Sequence, residues 1–209
     1  MPLPRRFYLR PPRAVARDLL GCVLVYRRGR TVTAGRIVET EAYLGPEDAA
    51  SHAALRPGSH ALFYGPGGHA YVYLNYGLHA CLNAITNPPG KPGCVLIRAL
   101  EPMLGLAAMA HRRGVAADSP RLASGPGNLT RAMGITVRDN ARDLTSGRLT
   151  IEPPDAPRAF TIARGRRVGI TKATELPLRY WIVGSPSVSR VSAVGGARRR
   201  QTVPRRGRD

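Results

Sequence analysis

The stretch Val38-Glu39-Thr40-Glu41-Ala42-Tyr43-Leu44 decides how this chain is read. Together with the residues before it, it predicts one long strand over Thr31 to Leu44. Side chains alternate across a strand, so Ile37, Glu39, Glu41 and Tyr43 share one face and Val38, Thr40, Ala42 and Leu44 the other. The second set is apolar enough to face a core. The first gathers two carboxylates and a phenol ring in a chain whose formal net charge is +19. That grouping fits a site where a ring stacks on a base and an acid activates water. It also fits a solvated edge strand whose charges discourage pairing with other chains.

A second run, Tyr71-Val72-Tyr73-Leu74-Asn75-Tyr76-Gly77-Leu78-His79-Ala80-Cys81-Leu82-Asn83-Ala84-Ile85, predicts two short strands around a turn at Tyr76-Gly77. Gly77 supplies the positive φ that a tight reversal needs. Tyr71 and Tyr73 then share a face, and Tyr76 sits at the tip, where its own hairpin cannot bury it. Either another element covers such a ring, or it inserts into something, and in a basic protein the natural recipient is a base stack; Tyr71 also fits an ordinary place in a sheet core.

Around these two runs the pattern is that of an α+β fold, with a largely antiparallel sheet and interspersed helices. Arg13 to Leu20 predicts a short amphipathic helix ended by Gly21, followed by a strand over Cys22 to Tyr26. Gly45 to Gly68, rich in glycine, proline and histidine, reads as a long irregular loop of the kind that is functional or mobile. Cys94 to Leu100 is a strand, and Glu101-Pro102 is expected to open a helix that runs to about Arg113. Gly125-Pro126-Gly127-Asn128 starts another helix through about Met133. Its amide-rich start fits a phosphate cradle at Gly127 and Asn128, or an ordinary capped junction. Leu149 to Ile151, Phe160 to Ile162, Val168 to Ile170 and Leu178 to Val183 are further strands. The expected organisation is a single domain over 1–190, with a disordered arginine-rich tail over 191–209.

Composition narrows the function. The chain has 209 residues, enough for one well-cored domain without disulfides or metal. Cys22, Cys81 and Cys94 lie in apolar runs and read as reduced core residues. The five histidines are scattered and no zinc-ligand spacing occurs, so neither a metal nor any other cofactor is expected. The first residues lack the apolar stretch of a secretion signal and no segment has the length of a membrane span, so a cytoplasmic, chromosome-associated protein is expected. The charge balance, 32 Lys and Arg against 13 Asp and Glu, favours a nucleic-acid partner.

The chain resembles the alkyladenine (3-methyladenine) DNA glycosylases of base excision repair. The resemblance is carried, in the family's order, by Arg36 to Tyr43, Tyr71 to Gly77, Val95 to Pro102, Ser124-Gly125-Pro126 and Arg167 to Ile170, within a span from about Phe7 to Arg190. It implies a single compact domain with a curved sheet and a protruding tyrosine hairpin. It further implies a monomeric, cofactor-free enzyme that flips a damaged purine out of double-stranded DNA and hydrolyses its N-glycosidic bond. On this resemblance Glu41 is the general base, and Arg98 helps hold it and the attacking water. Tyr43 stacks on one face of the flipped base, with His52 and Tyr73 on the other. Asn83 crowds the position of the guanine amino group. Tyr76 fills the gap left in the duplex, with Leu78 beside it, where relatives often carry methionine. The accepted purines, whether 3-methyladenine, 7-methylguanine, hypoxanthine or ethenoadenine, are not fixed by these residues.

Two other readings use the same residues differently. A glycosylase with lyase activity needs an amine, and Lys91, Lys172 and Pro2 are its candidates. A noncatalytic nucleic-acid module would use the tyrosines for stacking and the arginines on phosphates, but it leaves the Glu41 carboxylate without a purpose.

Overall fold

The long strand expected at the acidic run forms, and it is the spine of the molecule. The structure, a computed structural model, describes residues 1–55, 61–154 and 159–189. Its strands are β1 (Val23–Arg28), β2 (Thr31–Tyr43), β3 (Ala70–Asn75), β4 (His79–Ile85), β5 (Cys94–Leu104), β6 (Leu149–Glu152), β7 (Ile162–Gly165) and β8 (Arg179–Ile182). They form one sheet in the order β3-β4-β5-β2-β1-β6; β8 also pairs with β2, and β7 with β8. Every ladder between these strands is antiparallel. The helices are α1 (Arg5–Tyr8), α2 (Pro12–Asp18), α3 (His52–Leu55), α4 (Ala61–Tyr64), α5 (Leu106–Arg113) and α6 (Pro126–Met133). This is the α+β domain with an antiparallel sheet that the sequence predicts.

β2 is central rather than an edge. Along one side it pairs with β5; along the other, with β1 over Thr31 to Arg36 and with β8 over Glu39 to Glu41. Val38 and Ala42 enter the main core as expected, and Thr40 is buried against α2, where its hydroxyl donates to the Ala16 carbonyl at 2.8 Å. Ile37 departs from the simple alternation. A β-bulge between Ile37 and Thr40 shifts the register against β5, and both Ile37 and Val38 pack in the core. Glu39 and Glu41 are wholly buried, so the solvated-edge reading does not hold. Burying two carboxylates is costly unless they are paired. Surrounding side chains such as Ile37, Leu100 and Ile97, each fully buried and worth roughly 1.5–3 kcal/mol, help offset that cost.

The tyrosine run folds as predicted into the β3–β4 hairpin. Its turn has positive φ at both Tyr76 (+50°) and Gly77 (+68°) and is closed by the Leu78 N–H donating to the Asn75 carbonyl at 3.1 Å. Gly77 meets that demand without cost, whereas Tyr76 is strained in the left-handed region.

Several expectations are corrected. Glu101-Pro102 does not open a helix: β5 continues to Leu104, with Glu101 paired opposite Arg36 in the ladder and ion-paired to its guanidinium. The helix α5 starts only after Gly105, whose φ of +77° breaks the strand; a Cβ there would collide with the Val32 carbonyl oxygen. Val168 to Ile170 is a loop, not a strand, and β7 begins at Ile162 rather than at Phe160. The 45–68 segment is not wholly irregular, since α3 and α4 are single helical turns within it. The arginine-rich segment 191–209, expected as a separate tail, lies outside the described residues.

Candidate active site

The register of the sheet builds the site. Tyr71 on β3 pairs with Asn83 on β4, Asn83 with Leu96 on β5, and Leu96 with Glu41 on β2, giving one row across four strands. On this face the next cross-strand pair toward the hairpin tip is Tyr73 with Cys81. Along β5 the same face carries Cys94, Leu96 and Arg98, as the strand period dictates. A cavity of about 420 Å³ lies over this face. Its walls include Tyr43, His52, Tyr71, Tyr73, Tyr76, Asn83 and Arg98, together with Pro126 at the start of α6 and the loop Val168 to Lys172.

Glu41 lies immediately behind this wall, fully buried, rather than beside Tyr43 on an open surface. One carboxylate oxygen accepts the Val168 N–H at 2.7 Å. The other accepts the Tyr43 hydroxyl at 3.0 Å and faces Arg98 Nη1 at 3.2 Å. An ionised carboxylate offers about four lone-pair positions. Two are taken by these hydrogen bonds and Arg98 lies against the carboxylate as an ion pair, which leaves room for a further donor such as water. Burial pushes the Glu41 pKa above the ordinary carboxylate value, and this outweighs the lowering by Arg98, the Val168 N–H and Tyr43. Burial, and then the neighbouring Glu41 charge, raise the Tyr43 phenol well above its usual range, so it stays protonated and donating.

The aromatic walls are held by specific contacts. The Arg167 guanidinium carbon sits 4.7 Å from the Tyr43 ring centroid. Arg167 is in turn clamped by Asp48 through two bonds, at 2.5 and 2.8 Å, and donates to the Ala42 carbonyl at 3.1 Å. His52, on the first turn of α3, has Nδ1 2.8 Å from the Tyr71 hydroxyl and its ring centroid 4.5 Å from that of Tyr73. Tyr71 and Tyr73 are stacked at 5.3 Å. Asn83 is buried; its amide donates to the Tyr71 carbonyl at 3.1 Å, and its oxygen faces the Cys94 thiol at 3.8 Å. Burial pushes that thiol up to about 12, so it stays neutral.

Of the residues singled out from the sequence, Tyr43, His52, Tyr73, Tyr76, Asn83 and Arg98 meet at the cavity, with Glu41 behind it. Leu78 is 78% exposed and lies outside the cavity wall, next to Tyr76, which is 83% exposed at the hairpin tip. Gly127 and Asn128 sit in the first turn of α6, outside the wall, which Pro126 joins. The Asn128 side chain donates to the Ser124 carbonyl at 2.7 Å, as in a capped loop. Sequence reasoning missed Glu39, Asp48, Arg167, Arg179 and Ser189 as supports of the site. It also left Lys172 out of the cavity wall that it joins. Among the described residues, no group of three or more His, Cys, Asp and Glu gathers to hold a metal, and no helix is long and apolar enough to cross a membrane.

Such an arrangement suits a flat, electron-poor guest. Tyrosine faces attract a cationic ring, and a buried carboxylate nearby can take a proton from water. Residues 6–186 match the family model described as Methylpurine-DNA glycosylase (MPG). The chain belongs to the methylpurine-DNA glycosylase family. It is therefore a DNA glycosylase, a hydrolase of N-glycosyl bonds whose substrate is DNA and whose place is base excision repair. A relative from Koribacter versatilis is 48% identical over 90% of this chain and 93% of its own length. One from Methanoculleus marisnigri is 50% identical over 91% of this chain and 100% of its own. A third, from an Anaeromyxobacter species, is 46% identical over 95% of this chain and 100% of its own. Each is named as a candidate 3-methyladenine DNA glycosylase.

Proposed function

We propose that this glycosylase acts as a monomer on double-stranded DNA, flips out alkylated or deaminated purines of the 3-methyladenine type, and hydrolyses their N-glycosidic bond with a water activated by Glu41. The observation that carries this reading is the Glu41 carboxylate, buried directly behind an aromatic cavity and held by Val168, Tyr43 and Arg98. Alkylation at N3 or N7 makes a purine cationic and a good leaving group, so the protein need supply little acid. It must extrude the nucleotide, hold the base and direct a water.

Tyr43 takes one face of the base, and His52 and Tyr73 the other. Water attacks the anomeric carbon as the bond to the purine breaks, the electron pair leaves with the base, and Glu41 accepts the water proton. Arg98 keeps the carboxylate in place and helps hold the water. Asn83 closes the corner where guanine would place its amino group. Tyr76, with Leu78 beside it, enters the gap left in the duplex, and the first turn of α6 at Gly127 and Asn128 approaches a phosphate.

Neutral lesions such as hypoxanthine leave poorly without protonation. Single-turnover release of free base from duplexes carrying 3-methyladenine, 7-methylguanine, ethenoadenine or hypoxanthine tests the reading. The cationic lesions are expected to be released fastest, and a rate order with neutral lesions ahead would overturn it.

A further inference from the structure

Glu39 is a buried carboxylate that the reaction does not use. It lies two residues before Glu41 on β2 and is wholly buried. Its Oε1 accepts Arg98 Nε at 2.9 Å, Arg179 Nε at 2.7 Å and the Ser189 hydroxyl at 2.8 Å. Its Oε2 accepts the Ser189 N–H at 2.7 Å. Ser189 Oγ also accepts Arg98 Nη2 at 3.3 Å, and Arg179 Nη2 donates to the Ser189 carbonyl at 2.8 Å. Arg98 thus has its Nε edge fixed on Glu39 while Nη1 reaches Glu41. One guanidinium is shared between two buried carboxylates.

We infer that Glu39, clamped by Ser189 and Arg179, is a positioning residue that aims Arg98 at Glu41 and shares its charge, so that Glu41 is held in place yet remains basic. A guanidinium locked by several bonds loses no orientation when the substrate arrives. Without Glu39, Arg98 would pair with Glu41 alone and make it a weaker base. Ser189 gives the clamp a second consequence: backbone and side chain near the C-terminal end of the domain are part of the support for the carboxylate.

The groups facing Glu41 are few. Tyr43 and Glu39 come from its own strand, Arg98 from β5, Cys81 from β4, and Arg167 and the Val168 N–H from the loop after β7. Among these, Glu39 and Arg98 are joined directly.

The proposal rests on Glu41 as the base, and two variants test it by single-turnover base release across pH, with lesion-duplex Kd measured alongside. Glu39→Gln keeps an acceptor for Arg98 but removes the charge. It is expected to slow release at the plateau by about tenfold with Kd little changed, and to move the acid limb to lower pH, because one repelling charge has left the neighbourhood of Glu41. Ser189→Ala keeps both charges. It is expected to slow release severalfold and leave the acid limb where it is. If both variants move the limb, or neither does, Glu39 serves only to pack the strand and the proposal falls. Should Glu39→Gln fail to fold, wild-type release by Ser189→Ala overturns it alone. Failure of the base reading is distinguishable: there, Glu41→Gln itself releases base at a near-normal rate.

Discussion

Replacing Asp48 by asparagine should separate the structural clamp of the site from its surface electrostatics. Asp48 and Arg167 have no solvent exposure of their side chains and meet through two bonds. Asparagine fills the same space but leaves the guanidinium buried without its directly bonded counter-charge. Breaking a buried pair by removing one partner costs about 3–5 kcal/mol, a large share of the roughly 5–15 kcal/mol that holds a domain folded. For a chain of this size each kcal/mol corresponds to about 2–4 °C, so Tm should fall by roughly 10 °C. The exposed pair Arg27–Glu152, at 3.0 Å, is the control: Glu152→Gln should change stability by less than about 1 kcal/mol. The effect should depend on pH in a set direction. Burial would raise the Asp48 carboxyl, but Arg167 and the N–H groups of Leu44 and Ala50 outweigh it and hold the carboxyl below its usual range. A depressed carboxyl contributes stability above its unfolded pKa of about 3.9 and loses it as pH falls toward the folded value. The Tm gap between wild type and variant should therefore be constant from neutral pH to about pH 5 and shrink below about pH 4. Thermal unfolding within 2 °C or so of wild type at neutral pH would refute the reasoning.

Tyr76→Asn should uncouple strain from function, since asparagine tolerates the left-handed turn that the exposed tyrosine occupies at φ +50°. Stability should hold or rise by up to about 1 kcal/mol, while flipping of an ethenoadenine reporter, read by fluorescence, weakens; unchanged flipping would return the ring to a passive role. Asn83→Ser, at a buried position on the cavity wall, should raise excision of guanine relative to hypoxanthine, and a fixed ratio would place selectivity elsewhere.

Local pattern made most of the fold legible. Alternation in Thr31 to Leu44 and the glycine after Tyr76 were enough to give β2 and the hairpin. Pro102 misled because proline suits a first helical turn, whereas the strand is kept going by the cross-strand partner Arg36, 65 residues away, and ended by Gly105. The apolar spacing of Val168 to Ile170 read as a strand, but among the described residues no strand pairs with it, and its backbone serves Glu41 and the cavity instead. At the site, residue types carried the signal: a carboxylate and rings in a basic chain. Its supports carried none. Asp48 and Arg167 are 119 positions apart, and Glu39 and Ser189 are 150 apart. Neither pair leaves a periodic trace, and a sequence alone cannot tell that Glu39 is buried.

The central claim, that Glu41 takes the proton from water, is tested most directly by single-turnover base release from duplex DNA carrying a cationic alkylpurine. Wild type should lose activity as pH falls, with an acid limb above the ordinary carboxylate value because burial raises Glu41. Glu41→Gln should bind the lesion as well as wild type yet release base at least about a hundredfold more slowly, with no acid limb. Near-normal release by that variant, or an unchanged limb, would contradict the account.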